Sequence, residues 1–347
     1  MRTSKQVKIG NKIIGGGAPV LVQSMLNAPA DDYEKNLSQL KSLEEAGCEI
    51  VRMAVPDENA VRVLGKLKEN SNVPLVADIH FDYRLALESL EAGVDKIRIN
   101  PGNIGSFDRV EKVADACSLK NVPIRVGVNS GSVEKELLAK YGGATPEAMA
   151  ESAFKAIELL EKCGFYNTVI SIKSSDVTKM VKAYRLVAEK CDYPLHLGVT
   201  EAGTERFSLI KSSIGIGSLL LDGIGDTVRV SITDTPVKEV YAGFDILKSL
   251  NLRVETPQIV SCPTCGRTKI DLVSLANRIE EASRSIKKPI KIAVMGCAVN
   301  GPGEAREADI GVAGGDGFGL IFKKGEILRK VKEEDIVSEL LKETENL

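Results

Sequence analysis

Cys262-Pro263-Thr264-Cys265-Gly266 sets two thiols close enough to share one metal centre. Met295-Gly296-Cys297 brings a third on another glycine-flanked turn, and Asn300-Gly301-Pro302-Gly303-Glu304 follows it. The only two histidines, His80 and His196, lie far away in sequence. Zinc favours four sulfur or nitrogen ligands, so three thiols without a fourth point to an iron–sulfur cluster with one iron left for a weaker ligand or a substrate. For the Cys-x-x-Cys pair alone, a zinc ribbon and a redox disulfide stay open. The disulfide leaves Cys297 unused. Redox chemistry leads.

A second set of residues closes short apolar runs. Arg52, Asp78, Arg98 with Asn100, Arg125 with Asn129, Lys173, His196 with Thr200 and Glu201, and Arg229 with Ser231 all fall in or just past β-branched segments. Strand alternation puts Arg98 and Asn100 on one face, and likewise Arg125, Gly127 and Asn129. The opposite faces (Ile97 and Ile99, Val126 and Val128, Ile170 and Ile172) are apolar. Cations converging on one mouth repel each other unless an anion sits between them, and arginine suits phosphate. A phosphate ester is the expected guest. Asp78 can hold a hydroxyl or an arginine, Glu201 is the candidate general acid, and a hydrogen-bonding role suits His196 better than metal ligation. His80 reads as a polar residue at a loop start.

The elements that must position these residues repeat. Leu43-Glu44-Glu45-Ala46-Gly47 leads into a β-branched strand, as do Leu90-Glu91-Ala92-Gly93 and Leu160-Glu161-Lys162-Cys163-Gly164. Each reads as helix, glycine cap, strand, and such repeats make a parallel sheet with crossover helices. Strands are expected at 18–25, 48–54, 73–78, 94–99, 122–128, 167–173, 193–200 and 227–232, with helices at 31–46, 57–69, 82–92, 107–118, 146–162, 177–190, 203–213 and 236–250. That is a (β/α)8 TIM barrel over 1–253, with a hairpin at 7–14 ahead of it; an open doubly wound sheet is the alternative. Past Pro257 the pattern becomes a small α/β domain, 254–347: a strand, helix 271–285, strand 290–295, two short strands near 309–313 and 318–323, and helix 333–343.

Composition narrows the classes. Charge nearly cancels, 46 Lys+Arg against 48 Asp+Glu for a net −2, and no basic block or apolar run suggests nucleic acid or a membrane span. The first residues lack the apolar core of a signal peptide. Seven cysteines, four of them scattered (Cys48, Cys117, Cys163, Cys191), read as a reducing, cytoplasmic setting with those four as apolar filler.

Taken together, Val51-Arg52-Met53-Ala54-Val55-Pro56, Ala77-Asp78-Ile79-His80-Phe81, Lys96-Ile97-Arg98-Ile99-Asn100-Pro101-Gly102-Asn103, Arg125-Val126-Gly127-Val128-Asn129-Ser130-Gly131-Ser132, His196-Leu197-Gly198-Val199-Thr200-Glu201-Ala202-Gly203 and the cysteine motifs resemble one family over essentially the whole chain. It is the two-domain bacterial form of 4-hydroxy-3-methylbut-2-enyl diphosphate synthase, of the non-mevalonate isoprenoid pathway. The resemblance implies a [4Fe–4S] cluster on Cys262, Cys265, Cys297 and Glu304. It implies reduction of 2-C-methyl-D-erythritol 2,4-cyclodiphosphate to (E)-4-hydroxy-3-methylbut-2-enyl diphosphate, with electrons from flavodoxin or ferredoxin. Two other classes stand beside it: a zinc-stabilised barrel hydrolase or aldolase acting on a sugar phosphate, and a non-catalytic cluster carrier. Visible absorption separates cluster from zinc.

Chain geometry adds an expectation about assembly. Helix 236–250 carries the chain about 22 Å from the mouth to the far end of the barrel. The stretch from Asn251 to Pro257 then spans at most about 24 Å. The cysteine domain is therefore expected below its own barrel, and a two-fold homodimer whose cysteine domains cap the partner barrels would complete the site. The resemblance implies the same arrangement.

Overall fold

The computed structural model describes residues 2–298, 303 and 305–347. The chain divides into two compact units, Met1–Leu252 and Arg253–Leu347.

In the first unit a hairpin, β1 Val7–Ile9 and β2 Lys12–Ile14, precedes eight parallel strands. They are β3 Leu21–Met25, β4 Ile50–Ala54, β5 Leu75–Asp78, β6 Lys96–Ile99, β7 Ile124–Asn129, β8 Thr168–Lys173, β9 His196–Leu197 and β10 Thr227–Val228. Neighbours run β8-β7-β6-β5-β4-β3-β10-β9, and a single parallel bridge, Ile170 to Leu195, closes the ring. This is the expected barrel. The seventh and eighth strands are much shorter than their apolar runs: Thr227 and Val228 pair on both sides, with β3 and β9, whereas His196 and Leu197 pair with β10 alone.

Helices α1 Tyr33–Glu45, α2 Glu58–Asn70, α3 Tyr83–Glu91, α4 Pro101–Ile104, α5 Phe107–Lys120, α6 Lys135–Tyr141, α7 Pro146–Lys162, α8 Val177–Lys190, α9 Glu205–Leu221 and α10 Pro236–Ser249 surround it. Aspartates start several of them. Asp32, Asp57, Asp82 and Asp176 each accept a backbone N–H of the first turn, as N-caps do. Gly47 and Gly93 end α1 and α3 at φ 86° and 85°, the left-handed backbone that the repeated motif anticipated.

Three features differ from expectation in this unit. Helix α6 and the single turn α4 fill what read as loops. Helix α9 runs to Leu221 rather than stopping at residue 213. Its Ile214-Gly215-Ile216-Gly217 stretch looks helix-breaking, but a Cβ at Gly215 would meet Met180 Cε at 2.8 Å and Val199 Cγ2 at 3.0 Å, so the glycine lets α9 close on α8 and the sheet. Tertiary packing overrides propensity there.

Outward strand residues such as Ile97, Ile99, Val126, Val128, Ile170 and Ile172 join the helices in one large core. Inside the barrel, the hairpin's Val7, Ile9 and Ile14 meet Leu21, Ile50, Val76 and Val169 in an apolar floor at the strand starts. The hairpin plugs that end. Cys48 and Cys117 are buried filler, and burial pushes both thiols up to about 12.

The second unit is a five-stranded sheet, β11 Gln258–Ser261, β12 Lys291–Met295, β13 Ile310–Gly315, β14 Phe318–Lys323 and β15 Glu326–Lys332, in that order. The first three are parallel and the last three form an antiparallel meander. Helices α11 Leu272–Ser283 and α12 Ile336–Glu345 bury Leu272, Leu275, Ile279, Ile336 and Leu340 in its core. Strand β15 is an addition to the expected elements; its mostly exposed edge residues give it no apolar run to read.

Candidate active site

Alternation turns Arg52, Lys96, Arg98, Arg125, Lys173 and Arg229 into the barrel, where only Asp78 and Glu239 oppose them among the described residues. Arg98 donates from Nη1 to Asp78 Oδ1 at 2.9 Å, and Arg52 Nε stands 3.5 Å from Asp78 Oδ2. One carboxylate thus serves guanidiniums from two flanking strands. Burial works against its charge, but Arg52 and Arg98 outweigh burial and hold the carboxyl well below the usual carboxylate range. Gly127 makes room for this pair: a Cβ there would stand 2.4 Å from Arg98 Nε.

Arg229 is held differently from the free cation expected of it. Its Nε and Nη2 donate to Glu239 Oε2 and Oε1 at 3.1 and 2.9 Å. Glu239 also accepts from Ser24 Oγ at 2.8 Å and from the Ile232 backbone at 3.2 Å. Sequence reading missed Glu239. The signal was present, since it is the one acid on the buried face of α10, among Pro236, Val240, Gly243 and Leu247.

Three cations remain without an acidic partner among the described residues. Lys173 ends β8 opposite Asn129, nearly fully buried. Arg125 lies deeper than the strand end, as the second residue of β7 opposite Val169; it is fully buried, and all three guanidinium nitrogens lack a hydrogen-bond partner. Lys96, also missed, is fully buried, and among the described residues it donates only to Gln23 Oε1, at 3.4 Å. It lies two residues before Arg98, and the period-two pattern that singled out Arg98 applies equally to it. Burial first, then neighbouring cations, pulls Lys96, Arg125 and Lys173 well below their ordinary values.

His196 is fully buried beside them. Its Nδ1 pairs with Thr227 Oγ1 at 2.8 Å, and Nε2 has no partner among the described residues. Burial and the charges of Arg125 and Lys173 hold the imidazole well below its ordinary value, hence neutral. A hydrogen-bonding role fits that environment.

Around the mouth, Asn100 caps α4 by accepting from Gly102 at 3.2 Å and reaches Ser132 Oγ at 3.4 Å. Asn129 and Ser132 form a reciprocal cap on the turn after β7. Thr200 and Ser231 are half-buried past β9 and β10. Glu201 is exposed with φ 51°, a left-handed backbone that costs a non-glycine residue and recurs at functional positions. His80 Nε2 stands 3.8 Å from Asp78 Oδ2 on an exposed side chain.

In the second unit, β11 and β12 pair Ser261 with Val294, so Cys262 and Met295-Gly296-Cys297 leave adjacent parallel strands side by side. The Gly296 N–H donates to Cys262 Sγ at 3.2 Å. Cys265 folds back through Thr268, whose Oγ1 accepts its N–H at 3.1 Å, and Lys269 N–H donates to the Gly296 carbonyl at 3.1 Å. Hydrogen bonds from the Arg267 backbone and side chain lower the exposed Cys265 thiol. Amide-bonded sulfur and an acidified thiol are the donor chemistry of a thiolate-ligated centre. Among the described residues no trio of His, Cys, Asp or Glu is gathered tightly enough to hold an ion. Glu304 lies outside the described residues.

A parallel barrel with a cationic interior, joined in one chain to a unit with three cysteines on adjacent turns, belongs to a class of barrel proteins with an added α/β domain. The sequence model of the GcpE TIM-barrel domain matches residues 4–244, and that of the GcpE protein C-terminal domain matches 258–346. The chain belongs to the GcpE family. It is 59% identical over 346 residues to the 4-hydroxy-3-methylbut-2-en-1-yl diphosphate synthase (flavodoxin) of Caldanaerobacter subterraneus subsp. tengcongensis, covering 100% of this chain and 98% of that one. It is 57% identical to the protein of the same name from Clostridium perfringens, covering 100% and 99%. Among solved structures, a dihydropteroate synthase from Xanthomonas albilineans superposes with TM-score 0.51 at 15% identity, over 72% of this chain and 98% of that one, a likeness of fold. The comparisons give no support to a zinc-stabilised hydrolase or aldolase.

Proposed function

We propose that this protein reduces 2-C-methyl-D-erythritol 2,4-cyclodiphosphate to (E)-4-hydroxy-3-methylbut-2-enyl diphosphate. The conversion opens the cyclic diphosphate and removes one hydroxyl as water, taking up two electrons and two protons. One observation carries the substrate class: buried cations outnumber buried acids in the barrel, and Lys173, Arg125 and Lys96 have no acidic partner among the described residues. Burying unpaired charge is costly, so this arrangement is best satisfied by a polyanion. Arg52, Arg98, Arg125, Lys173 and Arg229 grip the diphosphate, with Asp78 and Glu239 fixing three of them. Asn129, His196, Thr200 and Ser231 hydrogen-bond the remaining oxygens. Glu201 donates a proton to the departing hydroxyl.

Cys262, Cys265, Cys297 and Glu304 would hold a [4Fe–4S] cluster, a reading supported by the sulfur-directed amide and the acidified Cys265 thiol. Such a cluster supplies single electrons and a Lewis-acidic iron for breaking a C–O bond. The names of the relatives support flavodoxin as the donor. Unpaired, partly exposed cysteines favour a reducing cytoplasmic setting. No helix among the described residues is long and apolar enough to cross a membrane.

A homodimer sharing its sites between chains is part of the same reading. It is supported by the exposed Phe207, Ile210, Ile214 and Leu221 at helical spacing on α9, an apolar stripe a second copy can cover. The decisive experiment is anaerobic turnover of the cyclodiphosphate with a reductant, with and without reconstituted iron and sulfide. Product is expected only with both; none under any condition would overturn the reading. Mixing inactive Cys297→Ser and Arg125→Ala chains tests the sharing. Recovery toward about one quarter of wild-type activity supports it, because one domain pairing per heterodimer is intact. No recovery in proven heterodimers places catalysis within one chain.

A further inference from the structure

Lys96 is a buried titratable group that the proposed chemistry leaves unused. Its neighbour in the ladder is Val76, a residue of the apolar floor, and the hairpin below offers only Val7, Ile9 and Ile14. From the other elements Arg52 of β4, Arg125 of β7 and His196 of β9 face it; Arg98 shares its own strand. Asp78 of β5 is already shared by Arg98 and Arg52, and Glu239 is taken by Arg229. What remains for its ammonium among the described residues is one hydrogen bond, to Gln23 Oε1 at 3.4 Å.

We infer that Lys96 is a positioning residue that stays neutral in the empty barrel and gains a proton when a diphosphate-type polyanion fills the mouth, adding charge beneath the ligand without touching it. The inference rests on reading the barrel as an anion site. A dry, cation-lined position cannot hold every charge at once. Arginine does not release its proton, so the strain falls on lysine. Burial, and then the charges of Arg125 and Arg52, depress the Lys96 ammonium in the empty protein. A polyanion above it reverses that balance and restores the charge. Lys173 at the strand end is under similar pressure, so the test has to separate the two.

The test is calorimetric titration of the full-length protein with inorganic pyrophosphate in buffers of different ionisation enthalpy, which counts protons taken up per ligand. Wild type should take up protons. Its affinity should weaken about tenfold per pH unit for each proton, as pH rises through the window between the depressed free value and the restored bound one. Lys96→Met should take up fewer protons, by as much as one, and lose the matching part of that slope; Lys173's share should stay. A wild-type proton count in Lys96→Met that still binds pyrophosphate overturns the inference and leaves the anion site standing. Failure of wild type to bind pyrophosphate overturns both. Carbon-13 signals of the lysine ε-carbons in wild type give a check that needs no variant. At least one buried lysine should move from the neutral to the charged shift on adding pyrophosphate, and none moving would overturn the inference.

Discussion

The barrel interior and the cysteine turns solve opposite problems. In the barrel the chemical groups sit on strands, buried, with Asp78 and Glu239 clamping three arginines from neighbouring elements. In the second unit they sit on turns past strand ends, with Cys265 exposed and Cys262 and Cys297 half-buried, tied by a few hydrogen bonds around Gly296 and Thr268. A desolvated cation must be held in place by the fold, because it cannot fall back on water. A thiolate that serves a metal centre must be acidic and reachable, and binding itself supplies much of the order. One region is therefore preorganised for charge. The other is poised for ligation.

If that contrast is right, the two regions should fail separately. The largest effect belongs to the turns. Cys262→Ser, Cys265→Ser or Cys297→Ser should reduce turnover to background and remove visible absorption, yet leave pyrophosphate affinity unchanged; a parallel loss of affinity would break the separation. Next comes the clamp under Arg229. Glu239→Ala leaves a partly buried guanidinium without its acid and should destabilise the barrel by about 3–5 kcal/mol, seen as a lower urea midpoint.

Smaller losses follow at the mouth. Arg52→Ala, Arg98→Ala and Lys173→Ala should each cost about 1.5–3 kcal/mol of binding, roughly tenfold to a hundredfold in Kd, with the cluster spectrum intact. Unchanged affinity in all three would put the anion elsewhere. Gly127→Ala pushes a methyl toward Arg98 and should cost about 1–3 kcal/mol by overpacking. It should weaken binding without touching the cysteine unit, and wild-type affinity would show that the guanidinium can move freely.

Acid should part the regions least, and in a fixed direction. The Asp78 carboxyl is depressed in the fold, so its contribution is full above the unfolded carboxylate value near 4 and is lost as pH falls through the folded value. The second unit has no buried acid among its described residues. Barrel stability should begin to fall below about pH 4 while the second unit does not follow for this reason. Equal acid sensitivity in Asp78→Asn and wild type would remove Asp78 from the account.

Much of this architecture was legible from local pattern. The helix–glycine–strand repeats announced the barrel, and alternation sorted Ile97, Val126 and Ile170 outward from Arg98, Arg125 and Lys173. Reading stopped where a local signal misleads or is missing. Gly215 looks like a helix breaker and is a packing contact; β15 has no apolar run and is set by its partner strand. Lys96 carried the same period-two signal as Arg98, but a lone lysine early in a strand reads as a rim residue until burial is known. Glu239 is the one acid on the apolar face of its helix, but that it meets Arg229 only the fold makes visible.

The sequence by itself determined the periodicities, the break near Pro257, the cysteine spacing and all but one of the inward cations, because each depends on residues a few positions apart. Tertiary structure alone decided how those cations share acids. That Asp78 takes two arginines, that Glu239 claims Arg229, and that Lys96 and Arg125 find no acid among the described residues between an apolar floor and a cationic mouth depends on ring closure and register. Charge pairing inside a barrel is set by which strands stand beside one another and how far each is shifted, and no local stretch of chain contains that information.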